Sequence, residues 1–205
     1  MTRKLDLLVV APSAHALYQD LASEFSAKEP NIWAGLLANS ARSVGHGVAI
    51  YDMEIERPTE EGFSDAVKEH DPRLVLFVVT GQNPNASTAA MRGAVEAAGS
   101  LRDRLPEYKI AFVGPHINAL PLETLSDNPC IDIGLTNEGV YALLGLLDTD
   151  MSCDSMKSVH GLCYREEDGS LNITHPAQIV PQERLHVDLP GVAYDLMPSF
   201  DKLDK

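Results

Sequence analysis

The chain opens with a short, nearly unbroken apolar run, Leu5–Ala11, that stops at Pro12-Ser13. A strand buried on both faces of a sheet has this pattern, because neither face calls for polar alternation. The same signal returns at residues 48–51, 74–79 and 110–113, and a fifth strand is predicted over 130–134. Between these runs, apolar residues recur at helical spacing. Over residues 32–44, Ile32, Leu36, Leu37, Ala41 and Val44 predict a helix that Gly45 stops. A second helix is predicted over 60–69. A third spans Pro84–Arg104, capped by Asn83 with Pro84 in its first turn, and its alanine-rich face suits close packing on a sheet. Shorter helices are predicted over 121–126 and 138–147.

Strand and helix therefore alternate five times, and right-handed crossovers then place helices on both faces of one parallel sheet. The fold class is α/β, a Rossmann-like, doubly wound, five-stranded parallel sheet of order 2-1-3-4-5 over residues 1–147, with ligands bound beyond the carboxyl ends of the strands. Residues 148–158 are polar, rich in Asp and Ser, and read as a linker. Apolar residues on either side of Asp168-Gly169 predict a β-hairpin extension over 159–175. From residue 176 to 205, Pro176, Pro181, Pro190 and Pro198 resist regular structure, and this stretch reads as a proline-rich connector.

A length of 205 residues fits one domain with an appendage. Sixteen Lys and Arg against thirty Asp and Glu leave a formal charge of −14, which repels nucleic acid and anionic lipid, so neither is expected as a partner. No apolar run approaches the roughly 18 residues of a membrane span, and no signal-peptide pattern follows Met1, so a cytoplasmic location is expected. The three cysteines, Cys130, Cys153 and Cys163, have no metal-ligand spacing and read as reduced structural thiols. Seven scattered histidines include no HExxH, so no metal site built from side chains is expected. Trp33 reads as a packing residue.

Candidate chemistry lies in the loops after the strands. These are Pro12-Ser13-Ala14-His15, Thr80-Gly81-Gln82-Asn83, Gly114-Pro115-His116 and Thr136-Asn137-Glu138-Gly139, and the topology brings all four to one sheet edge. The glycines let backbone approach a bulky ligand, and Ser13, Thr80, Gln82 and Asn137 offer hydrogen bonds to amide groups. Any one of these residues could equally serve only its turn. The chain lacks G-x-G-x-x-G, the P-loop and the G-x-S-x-G elbow, which argues against dinucleotide, nucleoside triphosphate and hydrolase chemistry.

Several phrases, read in order, carry a family likeness: Asn31-Ile-Trp-Ala-Gly-Leu-Leu-Ala38, Gly45-His-Gly-Val-Ala-Ile-Tyr-Asp52, Val113-Gly-Pro-His116, Asn137-Glu-Gly139 and Gly161-Leu-Cys-Tyr-Arg165. Together they resemble the cobalamin-binding N-terminal domain of B12-dependent radical S-adenosylmethionine proteins, in the style of the anaerobic Mg-protoporphyrin ester cyclase and related methyltransferases. Val113 and Asn137 stand where that family usually has glycine. The resemblance implies a cobalamin, and so a cobalt, held by the four loops. It also implies methyl transfer or related radical chemistry in an adjoining barrel. Residues 188–198 look like the family's connector toward that barrel.

No CxxxCxxC is present, so S-adenosylmethionine and a [4Fe-4S] cluster are expected only with a radical S-adenosylmethionine domain further along the chain or on a separate one. No aspartate has a histidine two places on, so D-x-H-x-x-G is missing and the cobalamin is expected base-off and without histidine on cobalt. The alternative is a receiver or flavodoxin-type domain without catalytic activity. A receiver needs acidic residues where Ala11-Pro12 and Thr80-Gly81 stand, and a flavodoxin needs a phosphate loop where Pro12-Ser13-Ala14-His15 stands.

Overall fold

The computed structural model describes residues 3–13, 30–80 and 84–198. The five apolar runs form five parallel strands: β1 (Leu5–Ala11), β2 (Val48–Asp52), β3 (Pro72–Val78), β4 (Lys109–Val113) and β5 (Ile133–Leu135). They lie in the order β2-β1-β3-β4-β5 that the sequence predicts. The hairpin strands β6 (Leu162–Arg165) and β7 (Leu171–Ile173) then extend the same sheet as antiparallel neighbours beyond β5. Registers place Ala11 beside Asp52, Val78 beside Val113 and Val113 beside Leu135, so the carboxyl ends of the parallel strands share one edge.

Side chains alternate across each strand and divide the core into two layers. Leu7, Val9, Leu74 and Leu76 pack with helices α1 (Ile32–Ser43) and α7 (Val140–Leu147) on one face. Leu8, Val10, Phe77 and Phe112 face the other way, toward α3 (Glu60–His70), α4 (Pro84–Arg104), α5 (Pro115–Ala119) and α6 (Pro121–Asp127). Phe77 stacks on Phe112 at 4.9 Å between ring centroids.

Three local features differ from the sequence reading, each for a physical reason. In α1 the sheet-facing side is built from Ala34, Leu37, Ala38 and Ala41, while Ile32 and Val44 are 44% and 60% exposed, because small residues let the helix approach the sheet. β5 begins at Ile133 rather than at 130. The Asp132 carboxylate accepts from the Ile110 N–H at 2.8 Å and pairs with Arg102, so a side chain takes the donor that a preceding backbone carbonyl would otherwise take. The phrase Gly114-Pro115-His116 opens α5, with Pro115 in the first turn, where its missing N–H costs nothing.

Two further short helices, α2 (Met53–Glu56) and α8 (Cys153–Met156), follow β2 and α7. Residues 176–198 carry little regular structure: 3₁₀ turns at Gln182–Arg184 and Tyr194–Leu196 flank α9 (Leu185–Asp188). The segment is nevertheless packed, with Ala177, Val180, Asp188 and Ala193 buried. It forms a strap across α7 and α1. The Tyr141 hydroxyl donates to the Asp188 carboxylate at 2.5 Å, Ser40 Oγ to the Asp188 carbonyl at 2.7 Å, and the Ala193 N–H to the Gly35 carbonyl at 3.1 Å. A Cβ on Gly35 would stand 2.5 Å from Met197 Cε and from Val192 Cγ1, so glycine makes room for the strap.

Candidate functional site

β1 delivers Pro12 and Ser13 to the carboxyl edge. Ser13 Oγ donates to Glu54 Oε2 at 2.7 Å, which joins the end of β1 to α2. That helix is capped by Asp52, whose Oδ1 accepts from the N–H groups of Glu54 at 3.0 Å and Ile55 at 3.3 Å. Asp52 is 4% exposed. Burial pushes its carboxyl up to about 6, and this outweighs the opposing pull of the two N–H donors.

At the end of β3, Thr80 Oγ1 donates to Asn31 Oδ1 at 3.1 Å. The same Asn31 oxygen caps α1 by accepting from the Ala34 N–H, and its Nδ2 donates to the Val78 carbonyl, each at 3.0 Å. Asn31 therefore clamps β3 and the start of its following loop to the first turn of α1. The sequence reading missed this residue as a site component, although its place just before a helical pattern is an N-cap signal.

After β4, Gly114 takes φ +149, and a Cβ there would collide with the Val79 carbonyl oxygen. The glycine is thus required by the close pass of β3 and β4, where the Val79 N–H donates to the Val113 carbonyl at 2.8 Å. Pro115 is exposed and His116 half-buried beside it.

Among the described residues, the loop after β5 is the most heavily bonded. Thr136 donates to the Gly161 carbonyl from its N–H at 2.8 Å and from Oγ1 at 3.1 Å. Asn137 takes φ +56, a left-handed conformation that asparagine tolerates better than most residues, so it can replace the family's glycine. Its N–H donates to Asn118 Oδ1 at 2.8 Å and its Nδ2 to the Ala177 carbonyl at 2.7 Å. Glu138 Oε2 accepts from the Val180 N–H at 2.8 Å. Gly139, at φ +76, has no room for a Cβ, which would stand 2.6 Å from Val113 Cγ2.

One edge thus gathers Pro12, Ser13, Thr80, Gly114, Pro115, His116, Thr136, Asn137, Glu138 and Gly139. His15, Gly81, Gln82 and Asn83 lie outside the described residues. At the exits of β1, β3, β4 and β5, Pro12, Ser13, Thr80, Gly114, Pro115 and Thr136 are small and uncharged, while β2 ends on the Asp52 carboxylate; small exits of this kind suit the broad, amide-rimmed cobalamin that the sequence resemblance implies. Thr136 Oγ1, Asn137 Nδ2 and Glu138 Oε2 are engaged by protein. Their observed role is to frame the loop.

Cys163 is buried, and burial pushes its thiol up to about 11, which makes it a packing group. Among the described residues no group of three or more His, Cys, Asp or Glu could hold a metal ion. No helix among them is long and apolar enough to cross a membrane.

Comparison with known proteins bears on the family and the fold. The sequence profile described as "B12 binding domain" matches residues 18–147. A Pyrococcus horikoshii protein described as an uncharacterized methyltransferase is 27% identical over 193 residues, spanning 94% of this chain and 38% of its own length. Among solved structures, the radical S-adenosylmethionine methyltransferase TsrM from Kitasatospora setae superimposes with a TM-score of 0.61 at 18% identity, over 84% of this chain and 30% of TsrM. The cobalamin-dependent S-adenosylmethionine radical enzyme OxsB, solved with aqua-cobalamin and S-adenosylmethionine bound, gives a TM-score of 0.60 at 17% identity, over 94% of this chain and 24% of OxsB. The chain spans well under half the length of each of these relatives.

Proposed function

The chain belongs to the B12 binding domain family, and from that premise we propose that it holds a base-off cobalamin, with no protein histidine on cobalt, against the carboxyl edge of its sheet. In this reading it is the cofactor module of a radical S-adenosylmethionine enzyme. The carrying observation is the convergence on one edge of the small, uncharged exits of β1, β3, β4 and β5, three of the four lying within the matched residues 18–147. Cobalamin, when bound, supplies a cobalt that can carry a methyl group. The hydroxyl oxygens of Ser13 and Thr80, whose protons go to Glu54 and Asn31, can accept from its peripheral amides, beside the backbone at Gly114. Thr136, Asn137 and Glu138 fix the fourth loop, and Gly81, Gln82 and Asn83 continue the second. Pro12, Pro115 and Gly139 lend small surface.

S-adenosylmethionine and a [4Fe-4S] cluster belong to a barrel domain in the same chain or a separate one. Similarity to two much longer radical enzymes supports this. The three cysteines, free of disulfides, are consistent with a cytoplasmic protein. A receiver or flavodoxin function is not favoured, since the family match is to a B12 domain.

Titration with hydroxocobalamin, followed by electron paramagnetic resonance of the Co(II) form, tests the reading. Binding without nitrogen superhyperfine splitting from a protein ligand is expected, and His15→Ala and His116→Ala leave the cobalt spectrum unchanged. A splitting that disappears in either variant would overturn the histidine-free assignment.

A further inference from the structure

The strap formed by residues 176–198 touches both flanks of the candidate site. At its beginning, the Ala177 carbonyl accepts from Asn137 and the Val180 N–H donates to Glu138, so the strap grips the loop after β5. Asn137 also bonds Asn118, which carries the grip to the end of α5 beyond β4. The strap then crosses α7, where Tyr141 meets Asp188, a carboxylate that Arg184 also holds through two bonds of 2.7 Å. It reaches the middle of α1 at Ser40 and Asn39 and returns along that helix to Gly35. Gly35 lies in the turn that Asn31 caps, and Asn31 holds Thr80. Loops after β3, β4 and β5 are thus bonded, directly or through one residue, to elements the strap clasps.

We propose that Glu138 is a positioning residue through which docking of the C-terminal strap and binding of cobalamin are coupled, an inference that rests on the cobalamin reading above. Glu138 Oε2 accepts from the Val180 N–H, and Val180 is buried where the strap meets the loop. A strap in place holds the loop in its left-handed turn at Asn137 and Gly139, and a displaced strap releases its anchors at Asn137 Nδ2 and Glu138 Oε2, leaving Thr136 on the Gly161 carbonyl. Coupling of this kind is reciprocal: cobalamin must stabilise the docked strap as much as the docked strap favours cobalamin.

The test uses the full chain with hydroxocobalamin and compares wild type, Glu138→Ala, Glu138→Gln and Tyr141→Phe. Glu138→Ala is expected to raise the cobalamin Kd by about tenfold. Glu138→Gln, whose amide oxygen can still accept from Val180, restores binding to within about twofold. Tyr141→Phe leaves Glu138 intact, loosens the strap at Asp188 and raises the Kd by about threefold or more; it decides the matter if Glu138→Ala does not fold. In wild type, added cobalamin slows hydrogen exchange at strap amides, the Val180 N–H included, which a purely structural Glu138 would not cause. Wild-type binding with unaltered strap exchange, or wild-type affinity in folded Glu138→Ala and Tyr141→Phe, overturns the coupling alone. Failure of the wild-type chain to bind cobalamin overturns the functional reading on which it rests.

Discussion

Replacing Asp52 by Asn should stabilise the protein at neutral pH and do little in acid. Asp52 is 4% exposed, and its carboxyl is pushed from 3.8 up to about 6, chiefly by burial and further by Glu54 and Glu56. A raised folded-state pKa means that the protonated form is the one the fold prefers. The stability Asp52 contributes is therefore fully present below about pH 4 and is lost as pH rises through about 6. A shift of about two units, at 1.36 kcal/mol each, amounts to about 3 kcal/mol once the group is fully ionised. Asparagine keeps the cap, because its Oδ1 can still accept from Glu54 and Ile55, and it carries no charge to bury. Urea unfolding across a pH series should show the variant ahead by about 0.5 kcal/mol at about pH 4 and by about 3 kcal/mol at about pH 7.5, with m unchanged. A pH-independent difference, or a variant weaker at about pH 7.5, would mean that the two N–H bonds outweigh burial, and the reasoning would fail.

Gly114→Ala should cost about 3 kcal/mol by the same unfolding assay, because φ +149 excludes a side chain and the new Cβ meets the Val79 carbonyl; a change under about 0.5 kcal/mol would show that β3 and β4 can separate freely. A reading of Gly114 as ligand-facing alone would predict an intact fold, and the collision with Val79 argues otherwise. Phe77→Ala should cost about 4 kcal/mol, since Phe77 is fully buried and stacked on Phe112, and a loss below about 1 kcal/mol would mean that the core refills. Iodoacetamide labelling of the native protein, read by mass spectrometry, should modify Cys130 and Cys153 before Cys163, whose buried thiol is pushed up to about 11; early labelling of Cys163 would contradict that burial.

The sheet was legible because it is written in local patterns. Runs such as Leu5–Ala11 and Lys109–Val113 are buried on both faces and so are apolar almost throughout, and the five-strand order follows from the alternation with helices. The shared edge was legible for the same reason, since topology alone carries Ser13, Thr80, Gly114 and Asn137 there. What escaped sequence reading depends on partners distant along the chain. Asn31 matters because Val78 and Thr80 fold back onto it, and Asp52 because it is itself buried where β2 ends beside Ala11 of β1. The strap's packing rests on Gly35, Ser40 and Tyr141, which carry no local mark of what will cover them. Proline density sets residues 176–198 apart, and they hold only two 3₁₀ turns and the short α9, but it says nothing about whether such a segment docks.

The most direct measurement mixes the purified chain with a small excess of hydroxocobalamin, passes it through gel filtration and reads protein and cobalamin absorbance in the same peak. Binding at the carboxyl edge predicts a red protein peak with one cobalamin per chain. Colourless protein eluting ahead of free cobalamin, from a chain shown to be folded by circular dichroism, would contradict it.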